Sequence, residues 1–302
     1  MPDQNPADHP STVAELTADL KAGGYLTDRG LATTLYVALK LRRPVLLEGE
    51  VGVGKTEAAK ALAATYGKKL IRLQCYEGID TSQAMYEWDY ARQMMHIRAL
   101  QLAPAADPRA AGDEAIDQLF GPRFLLERPL LEALKAGDGA VLLIDEVDRA
   151  DDEFEAFLLE ILSDFQITIP EIGTIRAQSN PTVVLTSNRT RELHDALRRR
   201  CLYHWLGYPT AEREAEIVRI RAPRASAELT RKVVQAVGRL RELDLAKPPG
   251  VAETIDWVRT LDVLGEGDLT PQAAGDTLGA VIKDRDDLDL VRGSLEEIVS
   301  GA

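Results

Sequence analysis

The residues of this chain whose types and spacing could do chemistry begin at Gly49-Glu50-Val51-Gly52-Val53-Gly54-Lys55-Thr56, a complete G-x-x-x-x-G-K-[ST] run. Glycines at these positions let the backbone turn its N–H groups inward around phosphate oxygens. A helix starting at the end of the run adds the positive end of its dipole. Lys55 would reach the β- and γ-phosphates of a nucleotide and the Thr56 hydroxyl would ligate Mg²⁺, with Glu57 closing the nucleotide-binding set. A second run, Val141-Leu142-Leu143-Ile144-Asp145-Glu146, reads as a buried strand ending in two carboxylates. Asp145 would hold the metal's water shell, and Glu146 could polarise a water for in-line attack on phosphorus. The bland alternatives are a glycine turn before a helix that happens to contain Lys-Thr, and an Asp-Glu pair that caps a helix. Both motifs in one chain, each in its expected context, favour ATP chemistry with Lys55 and Glu146 as catalytic groups.

Such groups must be positioned by strand ends and helix starts. Apolar residues 44–47 precede the glycine run and read as a short buried strand, and residues 55–66 read as an alanine-rich helix closed by Gly67. Amphipathic helices are expected over 12–21 and 29–41, with strands over 70–75, 141–144 and 182–186. Helices are expected over 129–135 and 152–163, and alternation about Pro170-Glu171 and Gly173 suggests a hairpin over 166–176. Residues 82–102 have helical spacing, and 104–113 form an Ala/Pro/Asp-rich loop. From Pro209 strand signals vanish and four helical stretches succeed one another, near 212–221, 227–240, 253–264 and 272–282. Strands alternating with helices predict an α/β core with a parallel sheet, and the tail predicts a separate helical domain.

Composition narrows the function classes. Across 302 residues the formal net charge is -13, and an acidic surface disfavours nucleic-acid phosphates as partners. The longest purely apolar run, 140–144, is far too short to span a bilayer, and residues 2–11 carry no signal-peptide pattern, so the expected location is cytoplasmic. Cys75 and Cys201 lie far apart and are expected to be buried, inert thiols. His9, His96, His194 and His204 show no metal-ligand spacing.

Together with the segments C-terminal to each, the two motifs resemble AAA+ ATPases, and within these the MoxR family, from about Tyr25 onward and most tightly over 43–56, 140–150 and 182–208. The resemblance implies a P-loop AAA+ core over 15–207 after a disordered tail (1–14), then an all-helical lid over 208–302. It also implies a helix-2 insert at about 84–122 and the hairpin at about 166–176, elements that in the family engage a client. Asn188, in Leu185-Thr186-Ser187-Asn188, matches the family's first sensor position and would orient water between Glu146 and the γ-phosphate. Read from the residues alone, it could equally be a turn asparagine after a strand. In Ala196-Leu197-Arg198-Arg199-Arg200-Cys201 the resemblance places an arginine finger at Arg200, with Arg199 next, although an arginine run is by default a solvated face.

A second sensor arginine, expected at the start of the third lid helix, is missing from Gly250-Val251-Ala252-Glu253-Thr254-Ile255-Asp256-Trp257. Arg259 is a possible substitute, but it lies six residues from Glu253, on a different helix face. The stretch Cys75-Tyr76-Glu77-Gly78-Ile79-Asp80 and the subsequent Tyr86-Glu87-Trp88-Asp89-Tyr90 look like the branch linked to maturation of aerobic carbon monoxide dehydrogenase and other molybdenum hydroxylases. That branch implies a von Willebrand A-domain partner and a metalloenzyme client. From the residues alone Tyr86, Trp88 and Tyr90 form an aromatic helix face that could as well pack a core. The resemblance further implies a homo-oligomeric ring, commonly a hexamer. A nucleic-acid motor on the same core would want a basic stripe, and a P-loop kinase would want an acceptor site with lid arginines in the same chain.

Overall fold

Runs that are buried at nearly every position, rather than at alternate ones, suit strands covered on both faces. Three such runs lie at the heart of this computed structural model, which describes residues 10–102 and 119–300. Most of the expected 1–14 tail, the 104–113 loop, part of the 84–122 insert and His9 lie outside the described residues. In chain order the strands are β1 (Val45–Gly49), β2 (Lys69–Gln74), β3 (Tyr86–Trp88), β4 (Leu125–Glu127) and β5 (Ala140–Asp145). They continue with β6 (Gln166–Ile169), β7 (Gly173–Arg176), β8 (Thr182–Ser187) and β9 (Leu202–Leu206).

Five of these strands form one parallel sheet in the order β2-β5-β8-β1-β9. Its pleat sends Leu46, Ile71, Leu142, Ile144 and Leu185 to one face, against helices Pro129–Ala136 and Asp152–Asp164 and the β6–β7 hairpin. Val45, Leu47, Val141, Leu143 and Val184 face the other way, against helices Val13–Ala22, Arg29–Leu41 and Lys55–Thr65. The α/β class with a parallel sheet flanked by helices is therefore as the sequence predicts. β1 sits between β8 and β9, while β2, next in sequence, lies at the far edge. Such a reversal of strand order opens a crevice at the carboxyl ends of the strands, and open α/β sheets bind ligands there.

After β9 the described residues hold only helices: Ala211–Arg221, Ala227–Leu240, Val251–Leu264, Pro271–Val281, Arg285–Gly293 and Leu295–Ser300. They enclose a core of their own around Trp257, whose Nε1 donates to Thr277 Oγ1 at 2.7 Å. Inside it Arg241 meets the buried Glu214 through two hydrogen bonds of 2.7 and 2.8 Å. Among the described residues no helix is long and apolar enough to cross a membrane.

Three expectations need correction. The 82–102 stretch is not one helix: a single turn, Thr81–Ala84, leads into β3, and only Tyr90–Leu102 is helical. Tyr86 and Trp88 therefore share a strand face rather than a helix face. Trp88 is buried edge-on against Phe120 at 5.3 Å, whereas Tyr90 is exposed. β3 is held by antiparallel pairing with β4, a partner too distant in sequence for local spacing to reveal. Second, β9 adds a strand that the sequence does not signal, because an edge strand shows only alternation, here with Tyr203 and Trp205 half exposed. Third, the helical region has two helices beyond the four expected. Arg285–Gly293 is too charged to show an apolar stripe, and its buried Asp287 instead accepts the Ala246 and Lys247 N–H groups at 2.9 and 3.0 Å.

Cys75 and Cys201 are free and buried, and burial pushes both thiols up to about 12. At neutral pH they stay protonated, so a disulfide reagent should modify neither in the folded protein and both after unfolding, as counted by released thiolate.

Candidate nucleotide-binding site

β1 ends where β9 comes closest. A Cβ on Gly49 would lie 2.0 Å from the Leu206 carbonyl oxygen, so only glycine lets the strand pair close and the chain turn away. The loop then enters helix Lys55–Thr65 through Gly54 at φ +98, and no side chain caps the first N–H groups of that helix. Uncapped N–H groups at a helix start are the feature that receives phosphate oxygens. Lys55 is buried beneath the loop, its Nζ donating to the Gly49 and Glu50 carbonyls at 2.8 and 2.6 Å. Burial lowers its pKa, opposed by the carboxylates of Asp148, Glu50, Asp145 and Glu146.

The carboxylate pair stands at the end of β5. Asp145 is 2% exposed, and its Oδ1 accepts from Thr56 Oγ1 at 2.9 Å and Thr186 Oγ1 at 2.6 Å. Glu146 comes next, in the left-handed region at φ +54, an uncommon conformation for a residue with a Cβ. Its N–H donates to Thr186 Oγ1 at 2.9 Å, and its Oε2 accepts from Gln74 Nε2 at 3.1 Å and Arg149 Nη1 at 3.0 Å. Asp148, also buried, accepts from the N–H groups of Asn188 at 3.2 Å and Thr190 at 2.8 Å. The loop carrying Asn188 is thereby tied to the loop carrying Glu146.

A cavity of about 830 Å³ opens over these groups, within the size range of small-molecule sites. Val51, Gly52, Val53, Gly54, Lys55, Thr56 and Glu57 line it, together with Asp145, Glu146 and Asn188. Gly49 and Glu50 contribute from behind, through the carbonyls that hold Lys55. The lining also includes the apolar side chains of Leu26, Leu31, Leu206, Ile217 and Ile255 and the ring of Tyr208, groups suited to a flat heterocycle. Thr56 and Asp145, already in contact, offer the oxygen donors that Mg²⁺ prefers, and the ammonium and uncapped helix start suit a polyphosphate.

The helical region supplies the opposite wall. Helix Val251–Leu264 starts directly on the glycine loop: Ala252 N–H donates to the Gly52 carbonyl at 3.3 Å, and a Cβ on Gly250 would lie 2.6 Å from the Val51 carbonyl oxygen. Arg259 does stand on a different face from Glu253, but it is the cavity face, shared with Ala252, Ile255 and Asp256. Its Nη2 donates to the Arg221 carbonyl at 2.7 Å, at the C-terminus of helix Ala211–Arg221. Arg213 and Arg221 line the cavity as well, and Arg221 pairs with Glu57 at 3.1 Å.

The arginine run is not brought to this cavity. It ends helix Asp195–Arg200, where Arg43 Nη2 donates to the carbonyls of Arg199 and Arg200, both at 3.1 Å. Arg199 is exposed and 3.7 Å from Asp195, and the exposed Arg200 guanidinium has no ion-pair partner among the described residues. Sequence reasoning misses Arg72, Gln74, Thr186, Asp148 and two lid arginines, Arg213 and Arg221, and it names Arg259 only as a possible substitute facing the wrong way. A faint signal exists for two of the missed residues: Arg72 and Gln74 alternate with the buried Ile71 and Leu73, which puts both polar side chains on one strand face.

Residues 44–201 match the AAA domain of the dynein-related subfamily. Among curated proteins, the chaperone protein ClpB 2 of Parasynechococcus marenigrum is 33% identical over 150 residues, 49% of this chain and 14% of that protein. ClpB 1 of Thermosynechococcus vestitus is 28% identical over 178 residues, 59% of this chain and 16% of that protein. The chain thus spans about one seventh of the length of these relatives. Among solved structures, the Thermotoga maritima RuvB Holliday junction branch migration motor is 18% identical, with a TM-score of 0.47 and coverage of 97% of this chain and 80% of that one.

Proposed function

The chain belongs to the AAA domain family, in its dynein-related subfamily, and from that premise we propose that its cavity binds ATP with Mg²⁺ and hydrolyses it to drive the remodelling of a protein client. The observation that carries this reading is the convergence of Lys55, Thr56, Asp145, Glu146 and Asn188 on one wall of a single cavity. In the reaction Lys55 and the loop 49–56 hold the phosphates, and Thr56 and Asp145 hold the metal. Mg²⁺ supplies positive charge against the phosphate oxygens. Glu146 accepts a proton from the attacking water, which the Asn188 amide helps to orient.

AAA proteins typically assemble as rings, and the exposed Arg200 suits a role offered to a neighbouring copy, with Arg199 as the alternative finger. Residues 15–207 would then act as the motor and 208–302 as a lid, within a ring of six in the cytoplasm. The finer reading rests on the resemblance to the MoxR family: a von Willebrand A-domain partner, and maturation of a molybdenum hydroxylase such as carbon monoxide dehydrogenase. Unchanged activity and metal content of such hydroxylases after deletion of the gene would remove that client.

Lys55→Ala tests the cavity itself. Loss of charge-assisted hydrogen bonds to phosphate should weaken ATP binding by about ten- to a hundredfold, read by titration of a fluorescent ATP analogue. Wild-type affinity in the variant would contradict the site.

A further inference from the structure

A carboxylate offers about four lone-pair positions for hydrogen bonds, and at Asp145 all are engaged by the protein. Oδ1 accepts from Thr56 Oγ1 and Thr186 Oγ1, as described. Oδ2 accepts from Arg72 Nε at 3.0 Å and from Arg72 Nη2 at 2.6 Å. The same Nη2 also donates to Gln74 Oε1, and Gln74 Nε2 donates to Glu146 Oε2 at 3.1 Å. One guanidinium thus holds Asp145 directly and Glu146 through Gln74.

The bland reading is that Arg72 merely neutralises a buried carboxylate. Its placement argues for more. The side chain of Asp145 is 3% exposed, but that of Arg72 is 50% exposed, reaching in from β2 at the sheet edge. Such a cation can return to water without stranding its own charge in the interior. What cannot be left alone is Asp145, because an unpaired buried carboxylate is costly. Departure of Arg72 is therefore favourable only when another cation arrives. Thr56, the other residue suited to ligate a divalent metal, is already on the opposite carboxylate oxygen.

We infer that Arg72 is a resident counter-cation of Asp145 that a divalent metal must displace, so that metal loading at Asp145 and release of Gln74 from Arg72 are one event. The inference rests on the reading of the cavity as a Mg²⁺-nucleotide site, and Arg72 acts through Asp145 as a positioning residue rather than a catalytic one.

The test titrates Mn²⁺ into the ADP-bound protein and follows free Mn²⁺ by electron paramagnetic resonance. ADP affinity in EDTA and melting temperature are measured on the same samples. Arg72→Ala should lower the Mn²⁺ half-saturation by about three- to fivefold, the equilibrium share of a half-exposed ion pair. ADP affinity in EDTA should stay at the wild-type value. Arg72→Lys keeps a charge near Asp145 but not the paired donors of the guanidinium, and should fall between wild type and Arg72→Ala, while Arg72→Gln, which keeps a donor without charge, should behave as Arg72→Ala does. An unchanged or raised half-saturation in a folded Arg72→Ala or Arg72→Gln protein overturns the inference, since Arg72 would then support the metal instead of opposing it. Failure of the wild type to bind ADP at all would remove the nucleotide-site reading, and this inference with it.

Discussion

Glu146→Gln should bind ATP as the wild type does and turn it over about 10²–10⁴ times more slowly, the usual contribution of a positioned general base. The substitution keeps shape and hydrogen-bonding capacity, so Gln74 and Arg149 retain a partner at Oε1 once the amide is oriented toward them. What it removes is the ability to take a proton. Fold stability should change little, because the side chain is 32% exposed and glutamine has no added cost at φ +54 relative to glutamate. Binding is read with a fluorescent ATP analogue and turnover by phosphate release. A variant with normal turnover would take Glu146 out of the mechanism and leave it as the residue that shapes the turn after β5.

Arg200→Ala should lower hydrolysis further, by about 10³–10⁵, the range over which arginine fingers act. The effect should appear without loss of nucleotide affinity in the isolated chain, because Arg200 does not line its own cavity. Arg199→Ala should have the smaller consequence, since that guanidinium lies near Asp195 on the same helix. The comparison is steady-state turnover at a protein concentration where assembly is verified by light scattering. Equal losses for the two variants would point to a general electrostatic role of the basic helix end. Weaker nucleotide binding by unassembled Arg200→Ala would instead place Arg200 in its own site.

The phosphate loop and the carboxylate pair are legible in the sequence because their physics is local. A glycine loop between an apolar strand and a helix defines its own geometry, and an apolar strand ending in Asp-Glu has only one place to present them in a parallel sheet. The placing of the lid arginines is not legible, even for Arg259, which the sequence offers as a possible substitute, and for the opposite reason. Which face of helix Val251–Leu264 meets the cavity is set by the docking of Gly250 onto Gly52, a tertiary contact with no trace in helical spacing. Counting from Glu253 turns Arg259 away; counting from Ala252 brings it in. Arg72 and Gln74 escape notice because their partners lie on another strand, fixed only by the pairing of Gln74 with Asp145. The β3–β4 pair is hidden likewise, its partners being separated by more than thirty residues. Helix Arg285–Gly293 is hidden because its inward polar group, Asp287, is satisfied by backbone N–H groups of a distant loop.

The central claim is a hydrolytic site assembled from two copies of this chain, and subunit mixing measures that directly. Glu146→Gln and Arg200→Ala chains, each nearly inactive alone, are co-folded so that mixed assemblies form, and phosphate release is monitored. Recovered activity in the mixture is the predicted result, because a cavity with an intact Glu146 then meets an intact Arg200 from its neighbour. Persistent inactivity in assemblies shown to contain both chains would contradict the shared site and leave Arg200 either acting within its own subunit or only supporting folding.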